Sequence, residues 1–160
     1  MKQHHASALA IGMGAVAGLR PMTAYAVVAW SLKRRWISRR SSPFGRIISA
    51  NASKTLAKIA MSELIADKLP FTPSRLKVAP LASRVVSGVI CGATIQSARE
   101  RAVATGAILG GLASIAAAFA GYRARRRLSQ DLPDLAVALM EDALALGGGV
   151  VIAAWAAKED

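Results

Sequence analysis

The sequence is poor in the residues from which soluble active sites are usually built. It has one cysteine, Cys91, and two histidines, His4 and His5. A single cysteine excludes an internal disulfide and a thiolate metal cluster. No HExxH motif, phosphate-binding glycine loop or nucleophile–base set is present. We therefore expect no metal site, no cofactor and no enzymatic activity.

Charge is also scarce, and long apolar runs take its place. Only 19% of residues are charged, 54% are hydrophobic, and the mean hydropathy is +0.38. Three runs approach the ~20 residues that cross a bilayer core, and a fourth is nearly as long. A helix of a soluble domain would carry a polar face at helical period, and these runs carry none. The sequence predicts an all-α, polytopic membrane protein forming a single domain, residues 1–160. The runs are Ala8–Trp30, Ala102–Tyr122, Leu135–Ala157 and Ala79–Ala98.

The pattern predicts five helices, of which four are apolar spans. The first is expected to be one uncleaved span that ends at the interfacial Trp30. The second contains five ionisable residues, so it either crosses in the bundle centre or enters part-way and returns. This leaves four to five membrane-embedded helices. The predicted bounds are Ser7–Leu32, Ala52–Leu69, Ala79–Ala98, Ala102–Arg125 and Pro133–Ala157.

The positive charge lies in clusters beside the apolar runs. The net charge is +12, and the basic residues concentrate in Lys33–Arg46 and Arg123–Arg127. Basic flanks of this kind are typical of cytoplasmic loops and attract anionic lipid headgroups. We therefore predict a basic cytoplasmic loop over residues 33–50, anionic lipids as partners of both clusters, and no nucleic-acid binding.

Glycines at four-residue spacing indicate close helix packing. Such pairs line one helix face and let two backbones approach. They predict tight packing within one chain or, alternatively, the seam of a homodimer. Separately, we expect the protein to form a homo-oligomer. "AGLR" (Ala17–Arg20) also recurs as "AGYR" (Ala120–Arg123), which suggests an inverted repeat of the kind common in transporters. The pairs are Gly14 and Gly18, Gly88 and Gly92, and Gly106 and Gly110.

Ionisable residues inside the apolar segments are the candidate functional residues. Each costs ~2.5–3.5 kcal/mol at the bilayer centre on insertion scales, so they must be paired or hydrated. We predict that the carboxylates line the path of an ion or solute, with the cations as countercharges. Alternatively, all of them are buried salt bridges that fix helix register. The predicted path residues are Glu63, Asp67, Glu141 and Asp142, and the predicted countercharges are Arg20, Arg84 and Lys68.

The motifs together resemble one known family. "GLRPMTAYA", "SELIADKLPFTPSR", "SRVVSGVICGA" and "MEDALALGGG" follow one another as in the bacterial membrane family catalogued as domain of unknown function 4126. The resemblance covers about Gly12 to Trp155 and implies a multi-pass protein of the bacterial inner membrane. It implies no activity. From the charged residues we expect a small transporter or channel for a proton, cation or small solute. The alternative is a non-transporting scaffold or lipid-organising protein.

Overall fold

The computed structural model describes residues 2–37, 50–66 and 78–158, and within these residues the chain is helical. We number the helices α1 to α6, and no strand occurs in the described part. The predicted all-α class is confirmed at this level. The helices are α1 (Lys2–Leu19), α2 (Pro21–Lys33), α3 (Ala50–Ala66), α4 (Val78–Ala98), α5 (Val103–Leu128) and α6 (Asp134–Lys158).

Three of these helices have the length and composition of membrane spans. They are α4, α5 and α6, with 21, 26 and 25 residues. At 1.5 Å per residue each exceeds the ~30 Å of a hydrocarbon core. Their outward positions carry large apolar side chains that would be costly to expose to water. These features indicate a membrane protein. The exposed side chains include Ile108, Leu112, Leu144 and Val151.

The first predicted helix is interrupted at Arg20. Its backbone is extended, with φ −141° and ψ 95°, and α2 restarts with Pro21 at its first position. A residue before proline is driven out of the α region by the proline ring, whereas proline fits the first helical position well. The prediction of one continuous helix over Ser7–Leu32 is therefore wrong, and the Arg20–Pro21 pair is the reason.

The break folds α1 and α2 into a hairpin. A Cβ placed on Gly149 of α6 would lie 3.1 Å from Cγ2 of Val27 and 3.7 Å from Cγ1 of Val16. In one continuous helix these two valines would be ~16 Å apart. They meet the same glycine because α2 runs back beside α1. Arg20 thus lies at the tip of a helical hairpin, and Trp30 does not mark the far end of a span.

α1, α4 and α5 form a seam lined with glycine, which we call the glycine seam. A Cβ on Gly14 would collide with the carbonyl oxygen of Gly110, and one on Gly92 would collide with that of Gly106. Gly18 meets the carbonyl of Ser114 in the same way. All six glycines of the predicted pairs make such contacts inside one chain. The packing interpretation therefore accounts for them without an oligomer.

The seam also fixes the directions of the helices. Gly14 faces Gly110 and Gly18 faces Ser114, so α1 and α5 are parallel, while α4 is antiparallel to both. "AGLR" and "AGYR" consequently run in the same direction, and Leu19 lies against Gly121. This geometry contradicts an inverted relation between the two segments.

The bundle has two ends, which we call the tip end and the base end. The tip end holds Arg20 of the hairpin and the first turns of α6. At the base end Arg99 Nη2 donates a 2.8 Å hydrogen bond to the carbonyl of Ala156. α2 runs from tip to base, so Lys33 lies at the base end, and Arg123–Arg127 lie beyond the tip. The two basic clusters therefore begin at opposite ends of the bundle. If the bundle crosses the membrane, only one of them can face the cytoplasm.

Candidate functional site

The candidate site is built around the backbone break at the hairpin tip. The last carbonyls of a helix have no partner within it, and water cannot supply one inside a bilayer. Arg84 of α4 supplies the donors. Its Nη1 lies 2.5 Å from the carbonyl oxygen of Gly18 and 2.9 Å from that of Leu19. On the other side of the break, Ser87 Oγ donates to the carbonyl of Pro21 at 2.8 Å.

Arg20 itself carries the most deeply buried charge of the site. Its side chain is fully buried, and its Nη2 lies 2.5 Å from Oδ1 of Asp142 on α6. Removing such a pair from water costs several kcal/mol per ion, which only close and well-oriented partners offset. The ion pair therefore ties the hairpin tip to α6 at a fixed level.

Glu141, the neighbour of Asp142, faces a second arginine. Its Oε2 lies 3.8 Å from Nη1 of Arg125 on α5, and its Oε1 lies 3.6 Å from a Cβ placed on Gly121. Glu141 and Asp142 are both buried, with 8% and 7% exposed. Adjacent residues on a helix point about 100° apart, so one carboxylate reaches α5 and the other reaches the hairpin.

The structure brings together four of the seven ionisable residues predicted for the site. Arg20, Arg84, Glu141 and Asp142 converge at the hairpin tip from three different segments of the chain. Asp67 and Lys68 lie outside the described residues. The backbone of Glu63 belongs to α3, and its side chain lies outside the description as well.

Two features of the site differ from the expected arrangement. Arg84, expected as a countercharge to the path carboxylates, donates to two backbone carbonyls. Both buried acids of α6, Glu141 and Asp142, have an arginine within 4 Å. Sequence reasoning had read Arg125 only as part of a basic flank and missed Ser87. The Arg20–Pro21 dipeptide was the available signal for a break.

The chemistry of the site is that of ion pairs. Across the described residues, no group of three or more histidine, cysteine, aspartate or glutamate side chains could hold a metal ion. The described cluster combines three guanidinium groups with two carboxylates. Such a cluster can bind or release protons and small ions, or it can lock helices together.

A basic concavity lies beyond the tip, on the last turns of α5. It has a volume of about 470 Å³. Three arginines, a tyrosine and a glutamine are among its lining residues, a composition that suits the phosphate of an anionic headgroup. The lining residues are Phe119, Tyr122, Arg123, Arg126, Arg127 and Gln130.

The sequence comparisons identify the family. The chain belongs to the family described as domain of unknown function DUF4126, whose model matches residues 7–157. No curated protein and no solved structure shows significant similarity to the chain. The resemblance found from the motifs is thereby confirmed, and the family description carries no activity.

Proposed function

We propose that this member of the family is a small membrane transporter or channel for a proton, a cation or a small solute. One observation supports the proposal most strongly. A fully buried arginine, Arg20, occupies a helix break and pairs with Asp142, in a chain with three apolar helices. Ionisable residues at membrane depth usually mark an ion or proton path, and broken helices form the sites of many transporters.

In this proposal, the path is closed while Arg20 and Asp142 form their ion pair. A proton or cation that binds the Asp142 carboxylate competes with the guanidinium for the same oxygens. Arg20 lies on extended backbone between two helices, so its side chain can leave Asp142 without unwinding a helical turn. Release of the pair also weakens the link between the hairpin and α6.

Glu141 provides the next carboxylate along the path. Its contact with Arg125, at 3.8 Å, is longer than a good charge-assisted hydrogen bond. Glu63, Asp67 and Lys68, which lie on or just after α3 in the sequence, are proposed to complete the path.

Flux in liposomes tests the proposal. Purified protein is reconstituted, and the movement of protons and of monovalent cations is followed with internal fluorescent indicators. Glu141→Gln, Asp142→Asn and Glu63→Gln should each abolish the flux. Glu100→Gln, in the exposed turn between α4 and α5, is the matched control and should retain it. Wild-type flux in Glu141→Gln and Asp142→Asn would refute the proposal.

The same cluster favours one other function. Arg20, Arg84, Asp142 and Glu141 each have a partner close by, as expected of a scaffold whose charges only fix the bundle. In a scaffold or lipid-organising protein, the substitutions would lower the melting temperature in detergent, and no solute would move even through the wild-type protein. The basic concavity would then hold anionic lipid as the main ligand. Binding to phosphatidylglycerol vesicles measures how much the basic concavity contributes to lipid binding. The triple variant Arg123→Gln/Arg126→Gln/Arg127→Gln should lose this binding.

A further inference from the structure

The contacts between α2 and α6 continue from the hairpin tip toward the base end. Arg20 pairs with Asp142 at the tip, and a Cβ placed on Gly149 would lie 3.1 Å from Cγ2 of Val27. The two contacts are seven residues apart on both segments, from 20 to 27 and from 142 to 149. The segments therefore run side by side in the same direction for about 10 Å, and the interface between them leads away from the ion pair.

Hydroxyl groups line the α2 side of this interface. The buried residues that follow one another at three- or four-residue spacing, and hence on one side of the helix, are Arg20, Thr23, Val27 and Ser31. The α6 side is made of small side chains. Beyond Asp142 its buried residues are Ala145, Gly149, Ala153 and Ala156. The polar groups of the interface below the ion pair therefore come from α2.

The Thr23 hydroxyl has no hydrogen-bond partner among the described residues, although Thr23 is fully buried. A threonine inside a helix can donate to the carbonyl four residues earlier. For Thr23 that carbonyl belongs to Leu19, across the break, and it accepts from Arg84. Thr23 also borders an apolar cleft on the side of the bundle, but its hydroxyl has almost no accessible surface and is therefore turned inward. A buried hydroxyl without a partner calls for an explanation, and water or an ion entering the interface would supply one.

Val27 closes the interface one turn below Thr23. Its side chain is buried and lies against Gly149. Apolar constrictions of this kind stop ions by excluding water. The next hydroxyl toward the base end, Ser31 Oγ, donates to the carbonyl of Val27 at 2.7 Å. Val27 is thus the apolar step between two hydroxyl groups.

We infer that the proposed path continues from Asp142 between α2 and α6, with the Thr23 hydroxyl as its next ligand and Val27 as its gate. The inference rests on the proposed function, because it assigns the route of the same ion or solute. While Arg20 holds Asp142, Val27 stays against Gly149 and the Thr23 hydroxyl has nothing to bind. Release of the ion pair lets α2 move away from α6, so that Val27 leaves Gly149 and water or the ion reaches Thr23.

Flux of protons and monovalent cations in liposomes tests the gate. Val27→Ala widens the constriction and should raise the flux several-fold. Val28→Ala is the matched control and should not change it, because Val28 is also buried but points about 100° away on the same helix. Gly149→Ala should lower the flux, because its Cβ would press on Val27, and the double variant Val27→Ala/Gly149→Ala should restore it. Gly147→Ala, whose Cβ would meet nothing within 4 Å, should keep the wild-type flux.

Thr23→Val tests the ligand. It keeps the shape of the side chain and removes the hydroxyl, so the flux should fall about five-fold, the usual value of one hydrogen bond. Thr105→Val, at an exposed threonine on α5, should keep the wild-type flux. Circular dichroism melting shows whether each variant is folded, and Thr23→Val decides the matter if Val27→Ala does not fold.

The outcomes separate this route from the proposed function. Wild-type flux in Thr23→Val, or in a folded Val27→Ala protein, would overturn the route and leave transport in place. A wild-type protein that moves neither protons nor cations nor any other small solute would refute the proposed function and the route with it.

Discussion

The glycine seam and the hairpin tip hold the same helices together by opposite means. In the seam, Gly92 and Gly106 let two backbones touch, with no charge involved. At the tip, Arg20 and Asp142 form a buried ion pair, and Arg84 donates to open carbonyls. The seam depends on the absence of side chains, while the tip depends on charged ones. The difference teaches that this bundle packs through glycine along its length and places its buried charges at one end, with Gly18 belonging to both regions.

The largest expected effect comes from breaking the seam at its centre. Gly110→Leu should prevent α4 and α5 from packing, because a Cβ on Gly110 would collide with backbone atoms of Gly88 and Gly92. Backbone atoms cannot move aside as a flexible side chain can, so we expect a loss of about 3 kcal/mol or more. Thermal unfolding in detergent, followed by circular dichroism, measures it.

Gly147→Ala is the matched control for this substitution. A Cβ at Gly147 meets nothing within 4 Å, and alanine is favoured over glycine in a helix by about 0.5–1 kcal/mol. The melting temperature should stay the same or rise slightly. If Gly110→Leu melted like the wild-type protein, the close approach of α4 and α5 would be wrong.

The next largest effect comes from removing one half of the ion pair at the tip. Asp142→Leu leaves the buried charge of Arg20 without this carboxylate and should cost about 3–5 kcal/mol. The double variant Arg20→Met/Asp142→Leu should recover much of that loss, because no charge then remains to be stabilised at the pair. Unfolding by denaturant in detergent gives the three free energies.

The double variant also sharpens the comparison between seam and tip. A seam defect cannot be relieved by a second apolar substitution, whereas a charge defect can. Should the double variant be no more stable than Asp142→Leu, the pair would contribute through shape or through other polar contacts rather than through charge.

The two regions also differ in how far the sequence predicts them. The glycine pairs at four-residue spacing reveal close packing, because the spacing itself places them on one helix face. The sequence shows that the charged residues of the tip are costly to bury in a membrane. It does not show which residues pair with them. Whether Arg20 meets Glu141 or Asp142 depends on the rotation of α6, and that rotation is set by tertiary contacts. The hairpin was not predicted because apolar residues continue on both sides of Arg20–Pro21, so the dipeptide falls inside what the pattern predicts as one span.

The smallest expected effect concerns the Ser87 hydroxyl at the break, which donates to Pro21 and also lies in hydrogen-bonding contact with the side chains of Tyr25 and Cys91. Ser87→Ala removes the donor to the carbonyl of Pro21 and should lower the free energy of unfolding by about 1 kcal/mol. Ser83→Ala removes a bond of the same length, from Ser83 Oγ to Pro80, on the exposed part of the same helix. Water or a headgroup replaces that exposed bond, so Ser83→Ala should change stability much less. The difference between the two alanine variants measures what a donor is worth at the tip, and equal melting temperatures would show that the Pro21 carbonyl is satisfied without Ser87.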